Sequence, residues 1–370
     1  MPQSLNDDIA FIEAQSQGLQ VQTANQKLLQ TELQSLVETI SITSEQLEPL
    51  RRGAIGSKSG LREIEDSLVV LYRAMITIDP NVRRPSSADG RPSTSYGTSE
   101  LATMRALQEK RDNYLSESSL FLSRLKQFMD MTFGAALMNT KDALVKAQGG
   151  TKLDPRLHDV GRDMLWQYSP EMLFAKEMDS SAWDGFLKMY QARARPVYQE
   201  ELRDNIAAWK RLARKPTSDE AELLFTSQEK ENEGITNTAR KLTVKRSQTL
   251  ARSLRTASGE KAEREKQSGR LYAFETFSGA LDEMKPIIFM EQNFIVDFFH
   301  ATSAESMDFV EAVMQAPPEK RIGTNLEARK LYEPDRAMAK KVAEVMEDIY
   351  ATWPNDLQNM VEWAIKSDPL

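Results

Sequence analysis

Between Leu5 and Leu50 the apolar residues of the chain recur in sevens. One set of heptad positions reads Leu5, Ile12, Leu19, Gln26, Leu33, Ile40 and Leu47, apolar except at Gln26. The set three residues later reads Asp8, Gln15, Gln22, Leu29, Leu36, Thr43 and Leu50, polar early and apolar from Leu29 onward except at Thr43. A seam of this kind is buried by a second helix lying alongside. Gly18 is the only glycine in the stretch, and no proline falls between Gln3 and Glu48, so the pattern predicts one long helix. It fits an amphipathic helix packed on its own domain or a coil that faces a partner. The length of the stripe, about six heptads, favours the partner. Ile12, Leu19, Leu29, Leu33, Leu36, Ile40 and Leu47 are then the contact positions. The polar early half calls for more than one neighbouring helix.

The rest of the chain repeats the helical period in shorter runs. Leu61, Ile64, Leu68, Leu71 and Met75 mark a helix that stops at Asp79-Pro80. Residues 81–98 are rich in Pro, Ser, Gly and Arg and lack the apolar groups that offset the entropy of ordering, so a disordered loop is expected. Ser86 and Ser87 follow Arg83-Arg84 there, a pattern that basophilic kinases read. The next helix opens at Ser99-Glu100, buries Leu115, Leu122, Leu125, Met129 and Ala136, and ends before Gly149-Gly150. Shorter helices follow near 161–168 and 170–178. Ser180-Ser181 then caps a long helix carrying Trp183, Phe186, Tyr190, Tyr198 and Trp209, with Pro196 expected to kink it or to mark a joint between two helices. The most apolar stripe runs Leu271, Phe274, Phe277, Leu281, Met284, Ile288, Ile295 and Phe298, with Pro286 as a bend. Glu291 falls on that stripe, and a buried carboxylate needs an Arg or Lys beside it. A last stretch packs through Leu331, Met338, Val342, Val345, Ile349 and Trp353, turns at Pro354 and restarts at Leu357. The whole reads as all-α, a coiled-coil helix (1–50) followed by elongated stacked bundles over 51–230 and 231–370.

Composition removes several functional classes. The 370 residues carry a net charge of −7 and no cysteine, which argues against nucleic-acid binding and against disulfide or thiolate chemistry. The opening residues have neither the charged nor the apolar region of a secretory signal, and no apolar run is long enough to span a bilayer. A cytosolic or membrane-peripheral protein is expected. The run Gly53 to Ser59 imitates a phosphate-binding loop, but its spacing is wrong and no strand precedes it. The two histidines, His158 and His300, stand on unrelated segments. No catalytic, metal or cofactor motif is present, so neither an enzyme nor a small-molecule binder is expected. One charged stretch has a second use. Arg240, Lys241, Lys245, Arg252 and Arg255 share one side of a helix over 240–258, a stretch without acidic residues. Such a face can meet anionic lipid or an acidic partner, or it is a solvated face neutralised within the fold.

The residues from Leu5 to Gln22, continuing through Asn25 to Gln30, resemble the coiled-coil segment of the fungal Sec-three family, exocyst complex component one. Met284 to Phe299 resembles the Pro-x-x-x-x-Glu-Gln-x-Phe-Ile signature of the same family, and Met360 to Leu370 is similar to it as well. The resemblance implies a vesicle-tethering subunit with an N-terminal coiled coil and rods of helical bundles. It implies sister subunits of the Sec-five, Sec-six and Sec-eight type as partners. It also implies a cytoplasmic protein recruited to the plasma membrane at sites of polarised secretion. The family's lipid- and GTPase-binding N-terminal domain has no counterpart here, and Leu370 is expected to be a cut within the helical region.

Overall fold

The computed structural model describes residues 2–79, 104–147, 150–214, 270–302, 307–323, 326 and 336–367, without the side chains of 2–17, 336, 337 and 367. The helices are α1 (Pro2–Ile40), α2 (Ser44–Arg52), α3 (Lys58–Ile78), α4 (Arg105–Lys146), α5 (Asp159–Leu165), α6 (Ser169–Met178), α7 (Ser180–Leu212), α8 (Ala273–Phe298), α9 (Phe309–Gln315), α10 (Arg336–Ile349) and α11 (Trp353–Ser367). Among the described residues every named element is a helix; one isolated bridge joins Ala213 to Leu271. The protein is all-α. It divides into two units, one made of residues 1–133, 165–189 and 298–323, the other of 134–164, 190–297 and 324–370.

Several helix ends differ from the period alone, and each has a local cause. The first helix stops at Ile40, short of Leu50. Thr43 starts a new one with a capping box, its hydroxyl accepting from Gln46 N while the Gln46 side chain accepts from Thr43 N at 2.9 Å. Asp179, rather than Ser180-Ser181, opens α7: its Oδ1 accepts from Ser181 N and Ala182 N at 3.0 Å each. Pro196 and Pro286 lie inside unbroken helices. Pro354 occupies the first turn of α11, where a missing N–H leaves no bond unmade.

In the first unit, α1 and α2 both pack on α3, whose Leu61, Ile64, Leu68, Leu71, Met75 and Ile78 are buried. Above them Phe174 meets Tyr72, Phe121 and Phe309 with ring centroids 6.5, 6.2 and 5.1 Å away. Each such ring or aliphatic group contributes roughly 1.5–3 kcal/mol when withdrawn from water. Trp183 satisfies its Nε1–H on the Phe299 carbonyl at 2.8 Å. An ion pair closes the unit: Arg321 donates to both oxygens of buried Glu65, at 2.5 and 2.9 Å, and to the carbonyl of Gln167 at 2.7 Å.

In the second unit the buried face of α8 runs through Ala273, Thr276, Ala280, Met284, Ile287, Glu291, Phe294 and Ile295. The stripe read from the largest residues is therefore rotated at its start. Phe274 is 63% exposed, and small Ala280 takes the inward place. Gly161 explains the close approach of α5 to the C-terminal part of α4, since a Cβ there would collide with Thr140 and the carbonyl of Ala136.

Candidate partner-binding surface

The stretch that carries candidate chemistry is α1, and its surface divides at Leu36. From Gly18 to Ser35 every side chain is exposed. Leu19, Leu29 and Leu33 keep 60, 59 and 51% of their surface open. Leu36 is half-buried, and Ile40 is buried. Leu47, on α2, is buried too. Ile40 and Leu47 thus belong to the chain's own core, whereas Leu19, Leu29 and Leu33 meet no core among the described residues. Ile12 lies where only the helical backbone is described. Exposed apolar side chains in one register along a helix are what a coiled-coil seam looks like before its partner arrives.

Three residues outside the predicted set widen the surface. Val21, Leu28 and Val37 are exposed at 60, 61 and 54%. Val21 and Leu28 are seven residues apart, a separate heptad row about 160° around the helix from Leu19 and Leu33; that spacing is visible in the sequence. One apolar row fits one neighbour, and rows on two sides of a helix fit more than one.

The base of α1 is tied down. The Tyr114 hydroxyl donates to the Ile40 carbonyl at 2.6 Å and accepts from Ile42 N at 3.3 Å. Lys110 Nζ donates to the same carbonyl and to Ser41 Oγ at 3.3 Å each. These donors satisfy a carbonyl left open by the end of a helix and put a positive charge at the negative end of its dipole. Arg124 does the same for α2, donating to the carbonyls of Leu50 and Gly53, while Arg51 Nε reaches Glu117 at 3.0 Å.

The acid on the apolar stripe of α8 has the partner its burial requires. Arg162 Nη2 donates to Glu291 at 3.0 Å, and the Tyr190 hydroxyl donates to it at 2.6 Å. Tyr198 donates as well. Burial, and next the charge of Glu291, push both tyrosine hydroxyls well above their ordinary value, so they remain donors. Every contact of this cluster lies inside the fold, which makes it a fixture of the core. His158 Nε2 sits 2.9 Å from Glu201; His300 meets Ser169 Oγ at 3.0 Å. Among the described residues no group of carboxylates and imidazoles has the arrangement of a metal site. No described helix is long and apolar enough to cross a membrane. The basic positions Arg240, Lys241, Lys245, Arg252 and Arg255 lie outside the described residues, as do the loop 81–98 and its two serines.

Comparison with known proteins touches both ends of the chain. The family described as "Exocyst complex component Sec3, coiled-coil" matches residues 3–77, and "Exocyst complex component Sec3, C-terminal" matches residues 298–370. No curated protein and no solved structure matches. The first match covers α1, α2 and nearly all of α3, and so takes in the open seam together with its base. Two segments of one family, matched in order at the two ends of the chain, support an exocyst Sec3 component.

Proposed function

We propose that this chain is a non-catalytic exocyst subunit that joins its sister subunits through α1 and so helps tether secretory vesicles to the plasma membrane before fusion. The observation that carries the reading is the open seam of Leu19, Leu29 and Leu33 on a helix whose base is fixed in the first unit. A helix with this much apolar surface facing water is completed by another chain. Sister subunits of the Sec-five, Sec-six and Sec-eight type, each offering a helix, are the partners that suit it. The protein then works in the cytoplasm and reaches the membrane as part of the assembly.

The test replaces Leu29 and Leu33 together with Asp. Both side chains point away from the core, so the melting temperature of the folded units stays where it is. Each leucine contributes roughly 1.5–3 kcal/mol when buried by a partner, so capture of sister subunits falls by about 100-fold or more. Retained capture by the doubly substituted protein, or unfolding in step with lost capture, removes the seam as the assembly surface.

A further inference from the structure

In the second unit the end of α7 and the start of α8 hold a small platform out to solvent. The Arg214 N–H donates to the Leu271 carbonyl at 2.9 Å, and the Leu271 N–H donates to the Leu212 carbonyl at 3.2 Å. Nearby the two helices touch so closely that a Cβ on Gly279 would collide with the Trp209 ring. What this firm base presents is apolar. Leu212 and Tyr272 are each 43% exposed, and Phe274 is more exposed still. The Tyr272 and Phe274 rings stack with centroids 5.9 Å apart and planes 23° from parallel, and the Arg214 guanidinium lies 4.1 Å from the Tyr272 centroid. The charge around them is one-sided. Over residues 207–214 and 270–278 four cations, Lys210, Arg211, Arg214 and Arg270, stand against one acid, Glu275. That acid is turned to the main chain, its Oε2 accepting from Tyr272 N at 2.9 Å.

We propose that this platform docks an acidic segment of a partner protein, one that sets a leucine between carboxylates. The leucine covers the open surface of Phe274 and Leu212, and the carboxylates meet Arg211 and Arg270, both exposed. Charge decides the sign of the partner, since four cations and one engaged acid repel a basic segment. Ordering in advance decides between a protein and a bilayer. Rings stacked on each other and under a guanidinium have already given up rotamer freedom, which lowers the cost of a specific contact. Tyr, Phe and Arg are also the residues enriched in protein interfaces. A bilayer gains nothing from such stacking and calls for a longer apolar face than three side chains. The platform shares no residue with the seam on α1, so its failure leaves the proposed function standing.

The probe is a fluorescein-labelled peptide of sequence Glu-Glu-Leu-Glu-Glu, followed by anisotropy as the intact chain is titrated in at low ionic strength. Two counterparts carry Gln in place of every Glu, or Ser in place of the Leu. The expected result is saturable binding of the first peptide, with each counterpart weaker by about tenfold or more. Those are the sizes of a lost charge-assisted hydrogen bond and of a lost leucine burial. Phe274→Ser should weaken the leucine peptide by about tenfold and leave the serine peptide where it was, a difference that a basic stretch elsewhere in the chain cannot produce. Arg270→Glu should weaken both acidic peptides by a similar factor. Both side chains are exposed, so the melting temperature holds. Equal binding of the leucine and serine peptides, no saturable binding, or full binding by either substituted protein overturns the proposal. So does sedimentation with vesicles of phosphatidylserine and phosphatidylcholine that Phe274→Ser abolishes while the peptides fail to bind, a result that assigns the platform to a membrane.

Discussion

Each unit buries a glutamate completely, and the two solve the same problem in opposite ways. Glu291, in the second unit, is met by Arg162 and by two tyrosine hydroxyls. Glu171, in the first, lies against a second carboxyl, that of Glu65, where Glu291 has an arginine and two tyrosines. The arginine nearby, Arg321, is fully engaged by Glu65 and by main-chain carbonyls. Burial, and then the charge of Glu65, raise the Glu171 carboxyl well above the usual range, with Arg321 opposing them. One acid is surrounded by donors; the other holds its proton more tightly because of its surroundings. Burial of a carboxyl thus needs either donors or a proton, and each choice leaves a distinct mark on stability.

The largest effect should come from removing the donors. Arg162→Met leaves Glu291 buried with only its tyrosines, and thermal or denaturant unfolding should show a loss of about 3–5 kcal/mol. An unchanged midpoint would mean that Glu291 does not depend on its donors, and the contrast would vanish. A smaller loss, about 1–3 kcal/mol, is expected for Tyr198→Phe, which removes one donor to a buried carboxylate and leaves the ring in place.

Glu171 sharpens the comparison from the other side. Its proton is bound more tightly in the folded chain than in the unfolded one, so its contribution is complete below the unfolded carboxyl value of about 4.3. It declines as the pH rises above that value and is gone once the pH passes the folded value. Glu171→Gln keeps a neutral group of the same shape, so stability at low pH should hold within about 1 kcal/mol while that share of the decline disappears. A pH titration of the unfolding midpoint, wild type beside variant, reads this directly. Parallel curves would sink the assignment of a proton to Glu171.

Much of this was readable before any coordinates. The helical period placed α3, the long α4 and the buried character of Glu291, since a carboxylate on an apolar stripe announces a cationic neighbour. It did not name Arg162, which lies 129 residues away in sequence, because periodicity records faces and not pairings. The same distance problem hid Arg321 and Glu65. Phe274 misled for a different reason: near a helix end the largest residue need not face inward, and small Ala280 fixed the face nearly two turns later. The Thr43–Gln46 capping box was visible as a pattern, yet the heptads ran through it, and the seam seemed continuous where the chain had already turned. The division of the seam at Leu36, exposed before it and buried after it, depended on where Tyr114 and Lys110 arrive, and no local pattern reports that.

Tyr114 and Lys110 have a mechanical consequence as well. A pull lengthwise on α1 passes into the first unit through its packing on α3 and at the Ile40 carbonyl, where both side chains grip from α4. Beyond it the three residues from Ser41 to Thr43 turn the chain into α2. The helix is therefore attached as a lever is attached to a pivot. Load along its axis stretches two hydrogen bonds and drags the buried Ile40, whereas a sideways push bends the connection at Ser41. Such a joint yields in direction sooner than in length.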